Sequence, residues 1–311
     1  MTSTSRFCVL AACLFFLSPA SEAATVTVDC DAGGSIGKAI AGLKPGDTLL
    51  VSGTCKENVS IAPEVVGITL NGQGKATIQH PGAASGSGPA AHAMYVRGRS
   101  ITITGFTVRG GPGDGIHLSG PAHVFIDGNI VIENKGRGIH MDKGTIAQIV
   151  NNTVRNNGTI GINVNELSYA RIGFLIPPDA KPGPNVIQGN GGDGIYVGRG
   201  SSAWIVGNTM RGNGGNGVAV DRGSQADVIG NTIAGNRGDG IVATHSSGVN
   251  LVSERTPRRE GPNQTDAAEA NGGVGVRCSI GGYVAGPLGT LTGTRGAKEV
   301  DSTCVDRLLA Q

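Results

Sequence analysis

The sequence has few aromatic residues and almost no net charge. Phe, Tyr and Trp make up 4% of the 311 residues, and 25 basic against 23 acidic residues leave a formal charge of +2. No basic run and no nucleic-acid-binding motif occurs, so we expect no nucleic-acid partner. Motifs for zinc, repeated calcium sites and nucleotides are also missing, so the sequence predicts no metal and no cofactor.

No apolar segment is long enough to span a bilayer, but the N-terminus has an export pattern. Arg6 precedes the apolar residues 7–17, and small residues that suit signal peptidase follow at 21–23. We therefore expect a signal peptide over residues 1–23, no transmembrane segment, and a secreted or periplasmic protein. Residues 10–13 also resemble a lipoprotein box, which would leave a lipid anchor on Cys13, although most of the apolar segment follows that cysteine.

Four cysteines remain after removal of the signal peptide, one pair near each end of the mature chain. They are Cys30, Cys55, Cys278 and Cys304. Because export favours disulfides, the sequence predicts Cys30–Cys55 and Cys278–Cys304. Metal binding is the weaker alternative, since no CxxC spacing occurs.

Glycine is abundant, with 54 residues, and it takes part in a repeat. Seven apolar residues each follow a glycine directly, at intervals of 23, 23, 33, 23, 23 and 33 residues. They are Ile116, Ile139, Ile162, Ile195, Val218, Ile241 and Val274. A period of this length indicates a solenoid, whose units bury their apolar faces only by stacking.

Each repeat unit contains three short alternating segments, which we name strands A, B and C. Strand A begins at residues such as Ile116, while Ile101 and Val108 mark strands B and C. Alternate residues of a strand point to opposite faces, so the apolar rows stack inward as columns. No repeating segment has the length of a helix. The sequence predicts an all-β, single-stranded, right-handed parallel β-helix with three short strands per coil.

Asparagine recurs in phase with these strands, once after strand B and again five residues later. The two rows are Asn129, Asn152, Asn185, Asn208 and Asn231, then Asn134, Asn157, Asn190, Asn213 and Asn236. Asparagine tolerates left-handed bends, and its amide can hydrogen-bond from coil to coil. We therefore interpret both rows as structural.

The ends and two long units depart from the repeat. Residues 35–43 predict a short amphipathic helix, with Ser35 as its N-cap, that would close the N-terminal end of the core. Ten-residue insertions at about 174–184 and 252–262 follow strand B, and each is either functional or simply a mobile charged loop. The predicted division is a signal peptide (1–23), an N-terminal cap with irregular first coils (24–93), regular repeats (94–276) and a C-terminal cap (277–311).

The repeat motif resembles that of a known superfamily. The pattern Asn-x-Ile/Val with Asn-x-x-x-Gly-Ile/Val, seen in Asn208-Thr209-Met210 and residues 213–218, resembles the pectin-lyase-like right-handed β-helices. It is most similar to their generic repeat domain, which occurs in carbohydrate-binding proteins, sugar hydrolases, lyases, epimerases and a periplasmic copper-maturation protein. The resemblance implies a polysaccharide or cell-surface glycan partner. The specific motifs of polygalacturonases, pectate lyases and alginate epimerases are missing, so no named activity is carried over.

The resemblance places the saccharide groove on the outward face of strand A, which carries the candidate site. The catalytic candidates are His117, His140, Asp142, Lys143 and Arg199. The substrate-binding candidates are Tyr95, Arg97, Asn163, Asn165, Glu166, Tyr196, Asp221 and Arg222. Histidine can move a proton near neutral pH, cations can neutralise a uronate carboxylate, and aromatic rings can stack on sugars. The alternative is an ordinary polar, solvated sheet face.

A second candidate surface is the outward row of strand B. It comprises Phe125, Gln148, Arg171, Trp204 and Asp227. Trp204, the only tryptophan, would either form a binding platform or pack beneath an insertion.

Two classes of function remain open at the level of sequence. The first is a secreted, monomeric β-helix that binds an acidic polysaccharide and, as an enzyme, is a lyase, an epimerase or a glycoside hydrolase. Hydrolysis needs two nearby carboxylates, and Asp142 with Glu166 comes nearest to that. The second class is a non-catalytic surface or periplasmic scaffold, such as an adhesin or a maturation factor.

Overall fold

The computed structural model describes residues 23–82, 88–175, 181–252, 261–266 and 268–309. The expected signal peptide, apart from Ala23, lies outside the described residues, and so do the central parts of both insertions. Among the helices of the described chain, none is both long and apolar enough to cross a membrane.

The chain winds into a parallel β-solenoid in which strand A of each coil adds to one ten-stranded sheet. Its strands are Val59–Ile61, Met94–Val96, Ile116–Ser119, Ile139–Asp142, Ile162–Val164, Ile195–Val197, Val218–Val220, Ile241–Ala243, Val276–Cys278 and Lys298–Val300. Each residue pairs with its equivalent one coil away, as Ile162 does with Ile139 and Ile195. The inward residues of the first nine strands are buried, as the alternating pattern predicts, whereas in the last strand Lys298 is exposed and Val300 is partly buried.

Strands B and C form an eighteen-stranded parallel sheet around the rest of the core. Its strands are Thr25–Asp29, Thr48–Ser52, Thr54–Cys55, Thr69–Gln79, Arg99–Arg109, His123–Asp127, Ile130–Ile132, Ile146–Val150, Thr153–Arg155, Tyr169–Ile172, Val186–Gln188, Ser202–Val206, Thr209–Arg211, Gln225–Ile229, Thr232–Ala234, Gly248–Asn250, Tyr283–Pro287 and Val305–Leu309. A small antiparallel pair, Phe174–Leu175 with Lys181–Pro182, lies at the base of the first insertion. The predicted parallel β-helix is confirmed.

The register differs from the predicted one in the last long unit. Ile241 pairs with Val276, not with Val274, so this interval is 35 residues and not 33. The asparagine rows give the physical reason. Asn231 bonds to Asn263 and Asn236 to Asn271, which places extra residues both before Asn263 and between the two bends.

The asparagine rows form continuous buried ladders. The Asn208 amide group donates to the carbonyl oxygens of Ile172 and Val206 and to Oδ1 of Asn231, at 3.0–3.1 Å. Its own Oδ1 accepts from Asn185 in the preceding coil. A third ladder, of serines between strands A and B, was not predicted. Its members are Ser168, Ser201, Ser224 and Ser247. The backbone N–H of each of the first three donates to the hydroxyl oxygen of the next serine, one coil further along.

Both predicted disulfides, Cys30–Cys55 and Cys278–Cys304, are present near the ends of the solenoid. A five-residue helix, Ile36–Ile40, lies within the expected segment. Ser35 is its N-cap and accepts a hydrogen bond from the Lys38 backbone N–H. Its two isoleucines are buried in the main core, while a role for the helix as an end cap stays a prediction. Within the described ranges, the other helical segment is a single 3-10 turn, Pro89–Ala91.

Candidate functional site

The ten-stranded sheet aligns the predicted site residues in columns on its outward face. One column runs through Tyr95, His117, His140, Asn163 and Tyr196, each paired with the next in register. The neighbouring column contains Asp142, which pairs with Ser119. The side chains along these columns separate into two groups: one is buried, and the other is open to solvent.

The buried group, which we call the histidine cluster, comprises His92, Asp114, His117, His140 and Asp142. All five residues are at least nine-tenths buried. Nε2 of His117 lies 3.2 Å from Oδ2 of Asp142, and its Nδ1 lies 3.0 Å from Nε2 of His92. Nδ1 of His140 lies 3.0 Å from Oδ2 of Asp114. The structure therefore brings together three predicted catalytic residues with two that the sequence analysis missed.

Asp114 enters the cluster from a Gly-Asp-Gly turn. Its Oδ1 accepts the backbone N–H of Arg137 in the next coil at 2.9 Å, which leaves Oδ2 to face the histidines. Asp239 has the same place in a later coil, where it accepts the backbone N–H of Val274 and pairs with Arg277. The repeated Gly-Asp-Gly turn is the sequence feature that could have identified Asp114. In such a turn one carboxylate oxygen accepts a backbone N–H, and the other oxygen can reach the outward column of strand A.

Two groups face Nδ1 of His140, Oδ2 of Asp114 at 3.0 Å and Nη1 of Arg137 at 3.2 Å. We assign the proton to Nδ1 because the carboxylate contact is the shorter one and a carboxylate only accepts, so Nε2 of the neutral ring keeps its lone pair. Neither that Nε2 nor Oδ1 of Asp142 has a hydrogen-bond partner within the described part of the chain, and both atoms are buried. Buried polar atoms without partners are rare and call for a specific explanation.

The charges in the cluster shift its pKa values in opposite directions. Burial opposes ionisation of Asp114 and Asp142, but hydrogen bonds prevail. Those from His117 and His140 hold the pKa of Asp114 well below its usual range, and those from His117 and Ser119 lower the pKa of Asp142 to about 2. His117 lies between these carboxylates, which raise its pKa against the effect of burial. Burial, together with the charges of His117 and Arg137, lowers the pKa of His140.

The cluster also contains two sets of potential metal ligands. His117, His140 and Asp142 each place a donor atom within 4.8 Å of the other two, and so do His92, Asp114 and His117. The only other such set among the described residues includes the disulfide-bonded Cys30 and Cys55. A search for linear motifs misses these sets, because their members come from separate coils.

The second group, which we call the open group, comprises Tyr196, Asp221, Arg222 and His245. The Tyr196 hydroxyl donates to Oδ2 of Asp221, and Nδ1 of His245 lies 2.8 Å from Oδ1 of the same carboxylate. Burial and the Asp221 carboxylate raise the pKa of Tyr196 to about 12, so its hydroxyl stays protonated. The His245 side chain is 54% exposed. Polymers in solution can reach this group. Tyr196 lies two coils from His140, Asp221 three and His245 four, which is roughly 10–19 Å at the spacing of β-strands.

The other predicted residues lie beside these two groups. Arg97 lies over the Tyr95 ring at 5.6 Å, and Arg199 forms an exposed 2.7 Å ion pair with Glu166. The side-chain oxygens of Asn163 and Asn165 are buried and, within the described chain, have no hydrogen-bond partner. Strand A is followed by a row of left-handed residues with φ of 48–56°, namely Lys143, Glu166, Arg199, Arg222 and His245. This row presents charged groups along one edge of the face.

The outward surface of strand B has the register expected for it. Trp204 is half-buried and stacks on Phe174 at the base of the first insertion, with ring centroids 6.3 Å apart. Arg171 lies over both Trp204 and Tyr169. Of the two alternatives for Trp204, the structure shows packing against the insertion.

Comparison with known proteins agrees with this architecture. A search of curated proteins finds no match in sequence. Among solved structures, pectate lyase Pel9A has a TM-score of 0.60 at 12% identity, over 91% of this chain and 78% of its own. The A-module of mannuronan C-5 epimerase AlgE6 from Azotobacter vinelandii has a TM-score of 0.52 at 14% identity, over 90% and 88%. A mutant of the periplasmic alginate epimerase AlgG has a TM-score of 0.51 at 13% identity, over 92% and 73%.

A family model gives the assignment. The model described as the right handed beta helix region matches residues 49–174 and 184–262, which together make up more than half of the chain. The protein therefore belongs to this right-handed β-helix family.

Proposed function

We propose that the protein binds an acidic polysaccharide along the outward face of strand A and removes a proton next to a uronate carboxylate at the open group. One observation carries this proposal: Asp221 orients both Tyr196 and His245, one on each carboxylate oxygen. A histidine whose Nδ1 is held by a carboxylate presents Nε2 as a base.

Exposure favours the open group over the histidine cluster as the place of proton transfer. The His140 side chain is 8% exposed and that of His245 is 54% exposed. A polymer must bring its reacting carbon within hydrogen-bond reach of the base, which His245 allows in the conformation described. The charged row at the end of strand A contributes Arg199 and Arg222, whose guanidinium groups can pair with a sugar carboxylate.

The reaction follows from the chemistry of uronates. Nε2 of His245 takes the C5 proton, and the electron pair of the broken C–H bond passes into the carboxylate, where a guanidinium group stabilises it. In elimination, that pair forms a C4–C5 double bond, the bond from C4 to the glycosidic oxygen breaks, and the departing oxygen takes a proton from an acid or from water. In epimerisation, a proton returns to C5 from the opposite side.

The structural neighbours and the disulfides support the proposal. Two of the neighbours reported above are named as a pectate lyase and a mannuronan C-5 epimerase, and they share the solenoid although not the sequence. Two disulfides suit an oxidising compartment outside the cytoplasm, where acidic polysaccharides occur. Secretion or a periplasmic location is part of the proposal.

The test combines binding with two measures of chemistry. The protein is incubated with polygalacturonate, with alginate and with a neutral glucan. Absorbance of unsaturated uronate measures elimination, and NMR of hydrogen exchange at C5 in deuterium oxide measures epimerisation. We expect one acidic glycan to bind and react, and His245→Ala to reduce turnover by about 10²–10⁴-fold. The matched control is His123→Ala, an exposed histidine on strand B. Binding without either reaction would favour the scaffold function, and no binding to any acidic glycan would refute the proposal.

A further inference from the structure

We propose that His117, His140 and Asp142 form a binding site for a divalent transition-metal ion of the zinc type. The site is distinct from the open group and does not depend on the proposed activity. Its three ligands come from two neighbouring coils, and parallel pairing of the coils holds them side by side.

The first argument is the pair of buried atoms that lack partners. Nε2 of His140 and Oδ1 of Asp142 have no hydrogen-bond partner among the described residues, although burial removes both from water. Leaving such atoms unpaired costs the full desolvation of each group, and more when the group is charged. A cation satisfies both at once, because each atom offers a lone pair.

The second argument is distance. The donor atoms of the three residues lie within 4.8 Å of one another, and Nε2 of His117 lies 3.2 Å from Oδ2 of Asp142. Zinc sites with metal–ligand bonds of about 2.1 Å have tetrahedral edges of roughly 3.4 Å, so small side-chain rotations close the set around one ion.

The third argument is the support behind the ligands. Histidines that bind a metal usually donate their other ring N–H to a carboxylate or another acceptor, which fixes the ring. Asp114 accepts from Nδ1 of His140, and Nδ1 of His117 faces both Asp114 and His92. Nε2 of His140 is thereby available for the ion, whereas Nε2 of His117 must give up its proton and its contact with Oδ2 of Asp142 when the ion binds. Asp114 itself is held by a backbone N–H.

The ligand types select the class of ion. Two imidazoles favour zinc, copper, iron or nickel, whereas calcium and magnesium prefer sites built from oxygen atoms. Three protein ligands leave a coordination position for water or another ligand. The unpartnered buried oxygens of Asn163 and Asn165 lie one coil further along, where they can accept hydrogen bonds from metal-bound water.

The decisive experiment is calorimetric titration of the chelator-treated full chain with Zn²⁺, with Ca²⁺ for comparison, supported by the visible spectrum of the Co²⁺ form. We expect one Zn²⁺ per chain, a Co²⁺ spectrum typical of nitrogen and oxygen ligands, and little Ca²⁺ binding. Both His140→Ala and Asp142→Asn should weaken Zn²⁺ binding by more than about 100-fold, since even outer partners contribute roughly 10–100-fold. His123→Ala should bind as the wild type does.

Several results would overturn the site. These are no Zn²⁺ binding by the wild type, unchanged binding by the two variants, or loss of binding in His92→Ala while His140→Ala still binds, because that pattern places the ion in the other set. Asp142→Asn keeps the shape of the side chain and decides the matter if His140→Ala does not fold. His245→Ala should still bind Zn²⁺ as the wild type does. Failure of the proposed glycan chemistry can therefore be distinguished from failure of the metal site.

Discussion

Nδ1 of His140 lies 3.0 Å from Oδ2 of Asp114, a residue 26 positions earlier in the chain. This contact links a turn of one coil to the outward face of the next. It fixes the tautomer of the buried imidazole and leaves Nε2 free for a ligand. Asp114 therefore has two functions, since its other oxygen caps the backbone of the next coil at Arg137.

Asp114→Asn should weaken Zn²⁺ binding by about 10–100-fold without removing a ligand. The amide keeps an oxygen for the Arg137 backbone N–H, but its NH₂ group cannot accept from His140, so the tautomer that offers Nε2 loses its support. Calorimetric titration measures the change. The matched control is Asp239→Asn at the equivalent turn, which loses its pairing with Arg277 but should bind Zn²⁺ normally. Equal loss in both variants would contradict the assignment.

Asn208→Ala should lower the free energy of unfolding by about 3–5 kcal/mol. The substitution removes a buried amide that accepts the Asn185 backbone N–H and donates to the carbonyl oxygens of Ile172 and Val206. Each buried group that loses its hydrogen-bond partner costs about 1–3 kcal/mol. Urea titration followed by circular dichroism checks this. Gln188→Ala, on an exposed side chain in the neighbouring coil, should change the free energy by less than about 0.5 kcal/mol.

Residues that repeat could be predicted well from the sequence. The columns of strand A and the asparagine rows are set by a fixed period, so counting positions gives the register without coordinates. The register predicted at Val274 is wrong by two residues. The last long unit has extra residues at two separate bends, and only the hydrogen bonds of Asn263 and Asn271 show how many residues each bend contains.

The site was less predictable, for a physical reason. His117, His140 and Asp142 followed from the columns, but His92 lies in the irregular segment before the regular coils, where no period applies. Asp114 resembled an ordinary turn aspartate, because its backbone-capping oxygen accounts for the sequence pattern by itself. The division into the histidine cluster and the open group depends on the exposed fraction of each side chain. The period of the repeat gives the face on which a residue lies but not this fraction.

Phe174→Ala should shift the fluorescence emission of the protein to longer wavelength and make it easier to quench. Trp204 is the only tryptophan, and it stacks on Phe174 in a small apolar cluster with Val206 and Ile229. Loss of the ring admits water to one face of the indole. Phe125→Ala, three coils away in the same outward row, provides the control and should leave the spectrum unchanged. An unshifted Phe174→Ala spectrum would show that the stack does not shield Trp204 in solution.

Gly198→Ala should reduce glycan turnover about as much as Tyr196→Phe does, although it removes no functional group. A methyl group built at Gly198 would lie 2.6 Å from the Tyr196 hydroxyl oxygen, so the ring must move away from the sheet. The 2.8 Å hydrogen bond to Asp221 is then lost, and Asp221 holds His245 less firmly. The φ of Gly198 is not in the left-handed region, so alanine is compatible with the backbone, and melting temperature should change little.

Kinetics and binding separate this steric effect from a general loss of structure. Both variants should lower kcat on the acidic glycan, while Zn²⁺ binding at the histidine cluster, about 10 Å away, stays as in the wild type. The double variant should be no worse than either single variant, because both substitutions break the same hydrogen bond and their effects are coupled, not additive. Additive losses would mean that Gly198 acts on the substrate directly, and unchanged turnover in Gly198→Ala would remove the Tyr196–Asp221 contact from the proposed chemistry.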